Sequence, residues 1–371
     1  MKKNSTGKQS QGGGKRKRKL SGKLTVGLDL GDGSSRYSVV DEEGEKVSEG
    51  SVVTTRKGLN QVFGAMARCR IAMEVGAHSP WVSRHLKALG HEVIVANARK
   101  VRLITQSSRK SDQLDARTLA RLARVDPNLL SPIQHRGEQA QADLLVIRAR
   151  AALVEARTML INAGRGMSKS FGEELAHCDA AQVSEDLGAD LSEAIRPALL
   201  PLLEQVRGLT EQIQAYDGEI QRLGRERYAE TEWLQQVQGV GPLIALTYVL
   251  TVEDPRRFRR SRDAGCYVGL QPRRRQSGQQ DPALRISKEG DRYLRKLLVQ
   301  GAHYILGPFG PDTDLRRWGC KLAARGGSSA RKRARVAVAR KLAVLLHHLW
   351  VNREVYEPLR MAQRQAAQPA A

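Results

Sequence analysis

Four carboxylates in this 371-residue chain have the type and spacing for metal-assisted phosphate chemistry. Asp29 stands between Leu28 and Leu30, and Glu74 follows Ile71, Ala72 and Met73. Asp112 and Asp115 are three residues apart, so one helix face would present both. Four acids brought together repel one another unless hard cations lie between them. Mg²⁺ or Mn²⁺ takes carboxylate oxygens and water, and two such ions about 4 Å apart clamp a phosphodiester for in-line attack. Each acid also has a plainer reading. Asp29 can form a strand-end turn, Glu74 can lie on the surface, and Asp112 and Asp115 can complement a helix N-terminus. Asp32 reads as a turn residue.

A second chemical group lies in residues 252–296, which are dense in Arg and Lys and surround Gln276-Ser277-Gly278. Gly, Pro and Ser punctuate this stretch as a loop. A serine among Arg273, Arg274, Arg275 and Lys288 is arranged to meet a phosphate. The cations would stabilise an alkoxide and the charge on a five-coordinate phosphorus, and the hydroxyl would form a phosphoserine link. The alternative for Ser277 is a turn residue. Ser287 is the rival nucleophile but reads as a helix cap. Gly239-Val240-Gly241-Pro242 opens the apolar helix 243–250; the two glycines either offer backbone N–H groups to a phosphate or make a tight turn.

The elements that would carry these residues follow from the hydrophobic pattern. Residues 24–30, 36–40 and 46–54 read as an antiparallel meander, with Gly-Asp-Gly and Glu-Glu-Gly turns. A helix over 57–68, a strand over 71–74, a helix over 79–89, a strand over 91–96 and a helix over 112–125 follow. Ser111 is the candidate N-cap of the last, and Pro127 stands just beyond it. The order βββ-α-β-α-β-α is that of the ribonuclease-H-like fold, in which the first and fourth strands are neighbours and the last helix crosses their ends. Helical spacing over 138–161 and 191–223 predicts an antiparallel hairpin with a Gly- and Ser-containing connection, a spacer or oligomerisation arm. The basic run Arg331-Lys332-Arg333-Ala334-Arg335 leads into an apolar helix over 336–349.

The net charge is +23, which points to a polyanionic partner, and aromatic residues are only 4%, too few to favour base-stacking platforms. By region the charge is +9 over 1–23, +4 over 24–135, −6 over 136–235 and +16 over 236–371. Residues 1–23 hold no acid and read as a disordered basic tail. No apolar run nears the roughly 18 residues of a membrane span, and the first residues lack a secretory h-region. A soluble, intracellular protein that touches nucleic acid and no membrane is expected. Cys69, Cys178, Cys266 and Cys320 lie far apart without zinc spacing and are expected to be reduced, packed thiols. The resulting division is a tail (1–23), a catalytic α/β domain (24–135), a helical arm (136–235), a mainly helical domain carrying the serine (236–350) and a second tail (351–371).

Eight short motifs in this order resemble the DEDD transposases of the insertion-sequence 110 family, relatives of the Piv-type DNA invertases. They are Val26-Gly27-Leu28-Asp29, Met73-Glu74-Val75-Gly76, Asn97-Ala98-Arg99-Lys100, Lys110-Ser111-Asp112-Gln113-Leu114-Asp115-Ala116, Gly239-Val240-Gly241-Pro242, Tyr267-Val268-Gly269-Leu270, Gln276-Ser277-Gly278 and Ala339-Arg340-Lys341-Leu342-Ala343. The resemblance implies a RuvC-like N-terminal domain whose metal ligands are Asp29, Glu74, Asp112 and Asp115. It also implies a C-terminal transposase domain whose nucleophile is Ser277. It further implies a homo-oligomer (dimer or tetramer), a structured guide RNA and a cytoplasmic, nucleoid-associated bacterial enzyme. Ser111 replaces the family's commoner threonine and keeps a capping hydroxyl. The lysine often found shortly after the first aspartate is missing, since Gly33, Ser34 and Ser35 precede Arg36. The alternative activity is a RuvC-like junction-resolving endonuclease that uses metal-activated water; a third is a non-catalytic nucleic-acid-binding protein.

Overall fold

In the computed structural model the described residues are 23–97, 112–278, 280–282, 284–327 and 329–366. Nearly all of the basic tail, residues 98–100 of the third motif, Lys110 and the proposed cap Ser111 lie outside them. The chain divides into two compact units, 1–135 and 136–371.

The first unit is built on one mixed sheet. Strands β1 (Thr25–Asp29), β2 (Ser34–Val40) and β3 (Lys46–Val53) form an antiparallel meander, while β4 (Arg70–Glu74) and β5 (Glu92–Ala96) add in parallel, giving the order β3-β2-β1-β4-β5. Helix α1 (Arg56–Phe63) enters β4, α2 (Ser79–Ala88) enters β5, and α3 (Asp112–Val125) ends the series. The helix expected to reach residue 68 stops at Phe63. Gly64 follows, which gains little from staying helical, and the chain turns into β4.

Side-chain alternation along the strands divides the core in two. Val26, Leu28, Ile71 and Met73 point to one face and pack with Leu59, Phe63, Val82 and Leu86 of α1 and α2. Ala72, Ile94 and Ala96 point to the other and pack under Leu119 and Ala123 of α3. Gly27 belongs to this second face, and α3 lies directly on it. A Cβ at residue 27 would sit 1.9 Å from the Ala116 carbonyl oxygen and 2.5 Å from the Ala120 nitrogen. Only glycine admits a helix backbone this close.

The direction of α3 is fixed at its far end. The Arg70 guanidinium donates to the Ala123 carbonyl at 3.0 Å, and Arg124 donates to the Glu42 carbonyl at 2.7 Å. Both partners lie at the edge where β1 and β4 begin. The first turn of α3 therefore lies at the edge where β1 and β4 end. Arg117 reaches Glu49 of β3 at 3.0 Å, and that carboxyl is held down to about 2 by Lys46, Arg117 and Gln113.

The second unit is helical. Its arm pairs α4 (Glu138–Ser170) with α5 (Arg196–Arg227), each about 50 Å long at 1.5 Å per residue. Arg150 grips Asp217 at 2.6 Å and Arg157 reaches Thr210 at 3.1 Å, so the helices run antiparallel. Their connection is not a plain linker: Leu175, Val183 and Leu191 are buried and close the far end over Ile161, Leu199 and Leu203. At the root, Ala140, Leu144 and Ile147 pack on Leu246 and Leu250 of α7 (Pro242–Val252). Residues Ile244–Val252 are all buried, because the arm covers one side of α7 and the main core covers the other. That core adds α6 (Thr231–Gln235), α8 (Arg262–Tyr267), α9 (Arg292–Leu306), α10 (Asp314–Ala323) and α11 (Ala330–Asn352); α12 (Arg360–Ala366) follows. The basic run at 331–335 lies inside α11 rather than ahead of it. Among the described residues no helix is long and apolar enough to cross a membrane.

The four cysteines are free thiols, but they are not uniformly packed: Cys69 is buried and Cys320 is exposed. Burial pushes the Cys69 thiol up to about 11, so very little thiolate exists at pH 8. In alkylation at pH 8 followed by peptide mass spectrometry, Cys320 is expected to react first and Cys69 only after unfolding. Gly27→Ala is expected to cost about 3 kcal/mol in urea denaturation of the full chain, because α3 must lift off the sheet. Gly33→Ala, with open space at its Cβ, is expected to be near neutral.

Candidate active site

Asp29 is the last residue of β1 and Glu74 the last of β4. The parallel register pairs Gly27 with Ala72 and Leu28 with Met73, so these two acids end neighbouring strands. Alternation puts both on the face that carries Gly27 and Ala72, the face under α3. Asp112 and Asp115 occupy the first turn of α3, at the same edge of the sheet. Helix and sheet thus bring two pairs of carboxylates to one edge. They do not close them into a metal-binding group, for among the described residues no three His, Cys, Asp or Glu side chains are grouped to hold an ion. The donor set is all oxygen and suits a hard cation in type.

The loops beside the acids are tied to one another by a link that the sequence reading missed. His78, between β4 and α2, is 3.0 Å from the Asp32 carboxylate through Nε2, and its Nδ1 accepts from the Trp81 indole at 3.1 Å. The indole can only donate, so Nδ1 is the acceptor and Nε2 carries the proton toward Asp32. Asp32 lies in the turn after β1, as read from the sequence, and there it also joins that turn to the loop after Glu74. Ser79 is buried beneath, donating to the Gly76 carbonyl at 2.8 Å and lying 2.9 Å from His135 Nε2. The only sequence signal was the His-Ser-Pro run at a helix start.

Ser277 lies at the tip of a hairpin-like excursion from the second unit. Its N–H donates to the Gln280 carbonyl at 3.1 Å and its carbonyl accepts from the Gln280 N–H at 3.0 Å. Gly278, at φ 55°, makes this tight turn, and Ser277 is exposed. Lower down, Arg273 N–H donates to the Arg285 carbonyl at 3.0 Å and Ser287 N–H to the Gln271 carbonyl at 2.8 Å. The legs close at two left-handed glycines. A Cβ at Gly269 would lie 2.0 Å from the Glu289 carbonyl oxygen, and one at Gly290 would lie 2.0 Å from that of Tyr267. Lys288, also left-handed at φ 57°, sits between them.

Ser287 does not cap a helix. Its hydroxyl accepts from Glu289 N–H at 3.4 Å, while Asp291 caps α9 by accepting from Leu294 N–H at 2.8 Å. Four residues separate Ser287 from Arg292, too many for a cap. Arg273, Arg274 and Arg275 are exposed along one leg. Arg273 donates to the Ser287 carbonyl at 3.4 Å, and Arg274 lies 3.7 Å from Asp281. Arg285 and Lys288 line a groove of about 2030 Å³ whose other wall includes Trp318, Arg340 and Lys341. The Lys341 ammonium stands 3.9 Å over the Trp318 ring, and burial lowers its pKa.

The Gly-Val-Gly motif is a turn into α7. Gly239 has φ 90°, and a Cβ there would meet Tyr304 at 3.0 Å and the Gly301 carbonyl at 3.2 Å, so packing against α9 requires glycine. Gly241 is the N-cap of α7, with open space beside it and Pro242 in the first turn.

Comparisons with known proteins find transposases along most of the chain. The model of the DEDD-type IS110 family, described as a transposase, matches residues 26–169, the first unit and much of α4. The model described as the transposase IS116/IS110/IS902 family matches residues 231–313, from α6 to the approach to α10. Among curated proteins, the chain is 29% identical to a "Probable family 20 transposase" of Pseudomonas aeruginosa, over 90% of this chain and 98% of that one. It is 28% identical to the transposase for insertion sequence element IS1111A of Coxiella burnetii, over 92% and 93%. It is 29% identical to the transposase for insertion sequence element IS1328 of Yersinia enterocolitica, over 76% and 83%. The chain belongs to the IS110-family DEDD transposases, enzymes that cut and transfer DNA strands.

Proposed function

We propose that this transposase exchanges strands of its own insertion sequence through a phosphoserine link at Ser277, supported by a cation site of Asp29, Glu74, Asp112 and Asp115. The observation that carries the acid site is the placement of Asp29 and Glu74 at neighbouring strand ends, under a helix whose acidic first turn starts at that edge. The sheet order β3-β2-β1-β4-β5, with its final helix on one face, is consistent with a ribonuclease-H-like, RuvC-like domain over 24–135. Mg²⁺ or Mn²⁺ bound by these acids would supply charge neutralisation for phosphodiester chemistry. The Asp32–His78 hydrogen bond joins the two loops beside the acids at the surface.

At the hairpin, the Ser277 hydroxyl oxygen attacks phosphorus and gives up its proton. The bond to the departing strand's oxygen breaks, and that oxygen leaves with the electron pair and takes up a proton. Attack by a hydroxyl of the incoming strand reverses the step and frees the serine. Exposure of Ser277 at a turn tip lets a backbone phosphate reach it, and Arg273, Arg274, Arg275 and Lys288 offer the guanidinium and ammonium charge that such a phosphate needs. Open space beside Gly241 at the start of α7 supports a further phosphate contact of the Gly239–Gly241 turn.

The +23 charge fits DNA and a structured guide RNA as partners, and the exposed Leu145, Met159, Met167 and Phe171 on the arm support its use in assembling a dimer or tetramer. In this reading the layout is tail, RuvC-like domain, arm, transposase domain over 236–350 and C-terminal tail, and the enzyme works at the bacterial nucleoid.

The test is strand exchange by the full chain co-expressed with its complete element. Asp29→Ala and Ser277→Ala are each expected to abolish exchange while the thermal midpoint and DNA binding are kept. Denaturing electrophoresis and peptide mass spectrometry should find a protein–DNA adduct linked at Ser277. Exchange that survives Ser277→Ala and fails with Ser287→Ala would move the nucleophile to Ser287. Cleavage without any adduct, dependent on the acids alone, would identify hydrolysis by metal-activated water instead.

A further inference from the structure

The hairpin is held at its base by the arm. Asp291, the residue after Gly290, does two things at once: its Oδ1 caps α9 by accepting from Leu294 N–H at 2.8 Å, and its Oδ2 pairs with the Arg148 guanidinium of α4. The Asp291 side chain is only 12% exposed, so its charge depends on these two partners. The Arg148 guanidinium also lies 5.1 Å over the Tyr293 ring. Two residues along the arm, Arg150 holds Asp217 of α5 with two hydrogen bonds, at 2.6 and 3.0 Å. Arg295 completes the base, donating to the Val268 carbonyl at 3.0 Å and the Glu289 carbonyl at 2.8 Å, on either side of the hairpin's entry and exit.

We infer that Arg148 is a positioning residue for the hairpin serine, acting through Asp291, and that the arm thereby sets the hairpin's alignment for attack. This rests on the reading of Ser277 as nucleophile. Without the guanidinium, a largely buried carboxylate keeps only the helix N-terminus as partner and turns toward water. Leu294 N–H then loses its cap. Gly290, which tolerates no Cβ against the Tyr267 carbonyl, sits one residue before that cap, and the pairing of Lys288 N–H with the Gly269 carbonyl at 3.0 Å follows directly. The hairpin legs start there, so a shift at the cap is carried to the tip. Displacement of a reacting group by about 1 Å can cost about 100-fold in rate.

Three variants separate positioning from folding. Asp291→Asn keeps a good capping side chain but removes the charge that Arg148 pairs with. Arg148→Ala removes the same pair from the other side, and Arg148→Lys keeps the charge while losing the planar fork. All are made in the full chain co-expressed with its element. At saturating DNA and well below each variant's thermal midpoint, Arg148→Ala and Asp291→Asn are each expected to slow adduct formation by about 10- to 100-fold, with DNA affinity little changed. Arg148→Lys should fall between them and the wild type, and the double variant should be no slower than either single one. In hydrogen–deuterium exchange, peptides spanning 271–290 should exchange faster in Arg148→Ala while those of α7 stay protected. Unchanged adduct rates, additive losses, or rate losses that follow binding or global stability would overturn the inference. If the wild-type adduct maps to Ser287, the nucleophile assignment falls and the same rates judge the positioning of that serine. If the wild type forms no adduct, the phosphoserine reading fails, and unchanged exchange at 271–290 would overturn the coupling separately.

Discussion

The approach of α3 to Gly27 is the constraint on which the first unit depends. A helix backbone set against a strand at a distance no side chain would allow fixes where the helix lies, and Arg70 and Arg124 fix which way it runs. Given both, the ends of β1 and β4 and the start of α3 must share an edge. The acids do not draw one another there, since their charges oppose it. Apolar packing of Ala72, Ile94, Ala96, Leu119 and Ala123 brings them close, and a cation would relieve the resulting repulsion.

The second unit solves a different problem. An exposed hairpin needs a fixed base if its tip is to act on a phosphate. Gly269 and Gly290 bring the two legs against the end of α8, Asp291 starts α9 at once, and α9 is anchored by Leu294, Leu297 and Leu298 in the core. The arm contributes through its root, where apolar contacts of Ala140, Leu144 and Ile147 and the guanidinium of Arg148 meet the same helix start and its neighbour α7. At the arm's root the cation, Arg148, belongs to the arm and its acid, Asp291, to the hairpin base, whereas the arginines of the hairpin leg stay exposed.

Local chemistry made much of this legible before any coordinates. Short β-prone, mostly apolar runs mark β1 and β4, and their terminal acids stand out against apolar neighbours. The Ala116, Leu119, Ala120, Ala123 spacing marks α3 and places Asp112 and Asp115 in its first turn. What stayed hidden depends on distant partners. Gly27 looks like any strand glycine until a helix lies on it. Asp291 resembles an ordinary cap, and its ion-pair partner is 143 residues away. Ser287 was mistaken for a cap because its Ser-Lys-Glu context fits one locally, whereas the left-handed Lys288 and Gly290 delay the helix to Arg292. The connection of the arm shows no period in the sequence, because its buried residues, Leu175, Val183 and Leu191, lie too far apart.

In the proposed site, four carboxylates from two strand ends and one helix start hold the same cation. Iron(II) bound in place of the native ion, with ascorbate and peroxide, cuts the backbone close to where it is held. Mass spectrometry of the full chain should find cuts near residues 29, 74 and 112–115 together, all suppressed by excess Mg²⁺ and lost in Asp29→Asn. Cuts confined to one of these segments, or to sites away from all three, would contradict it.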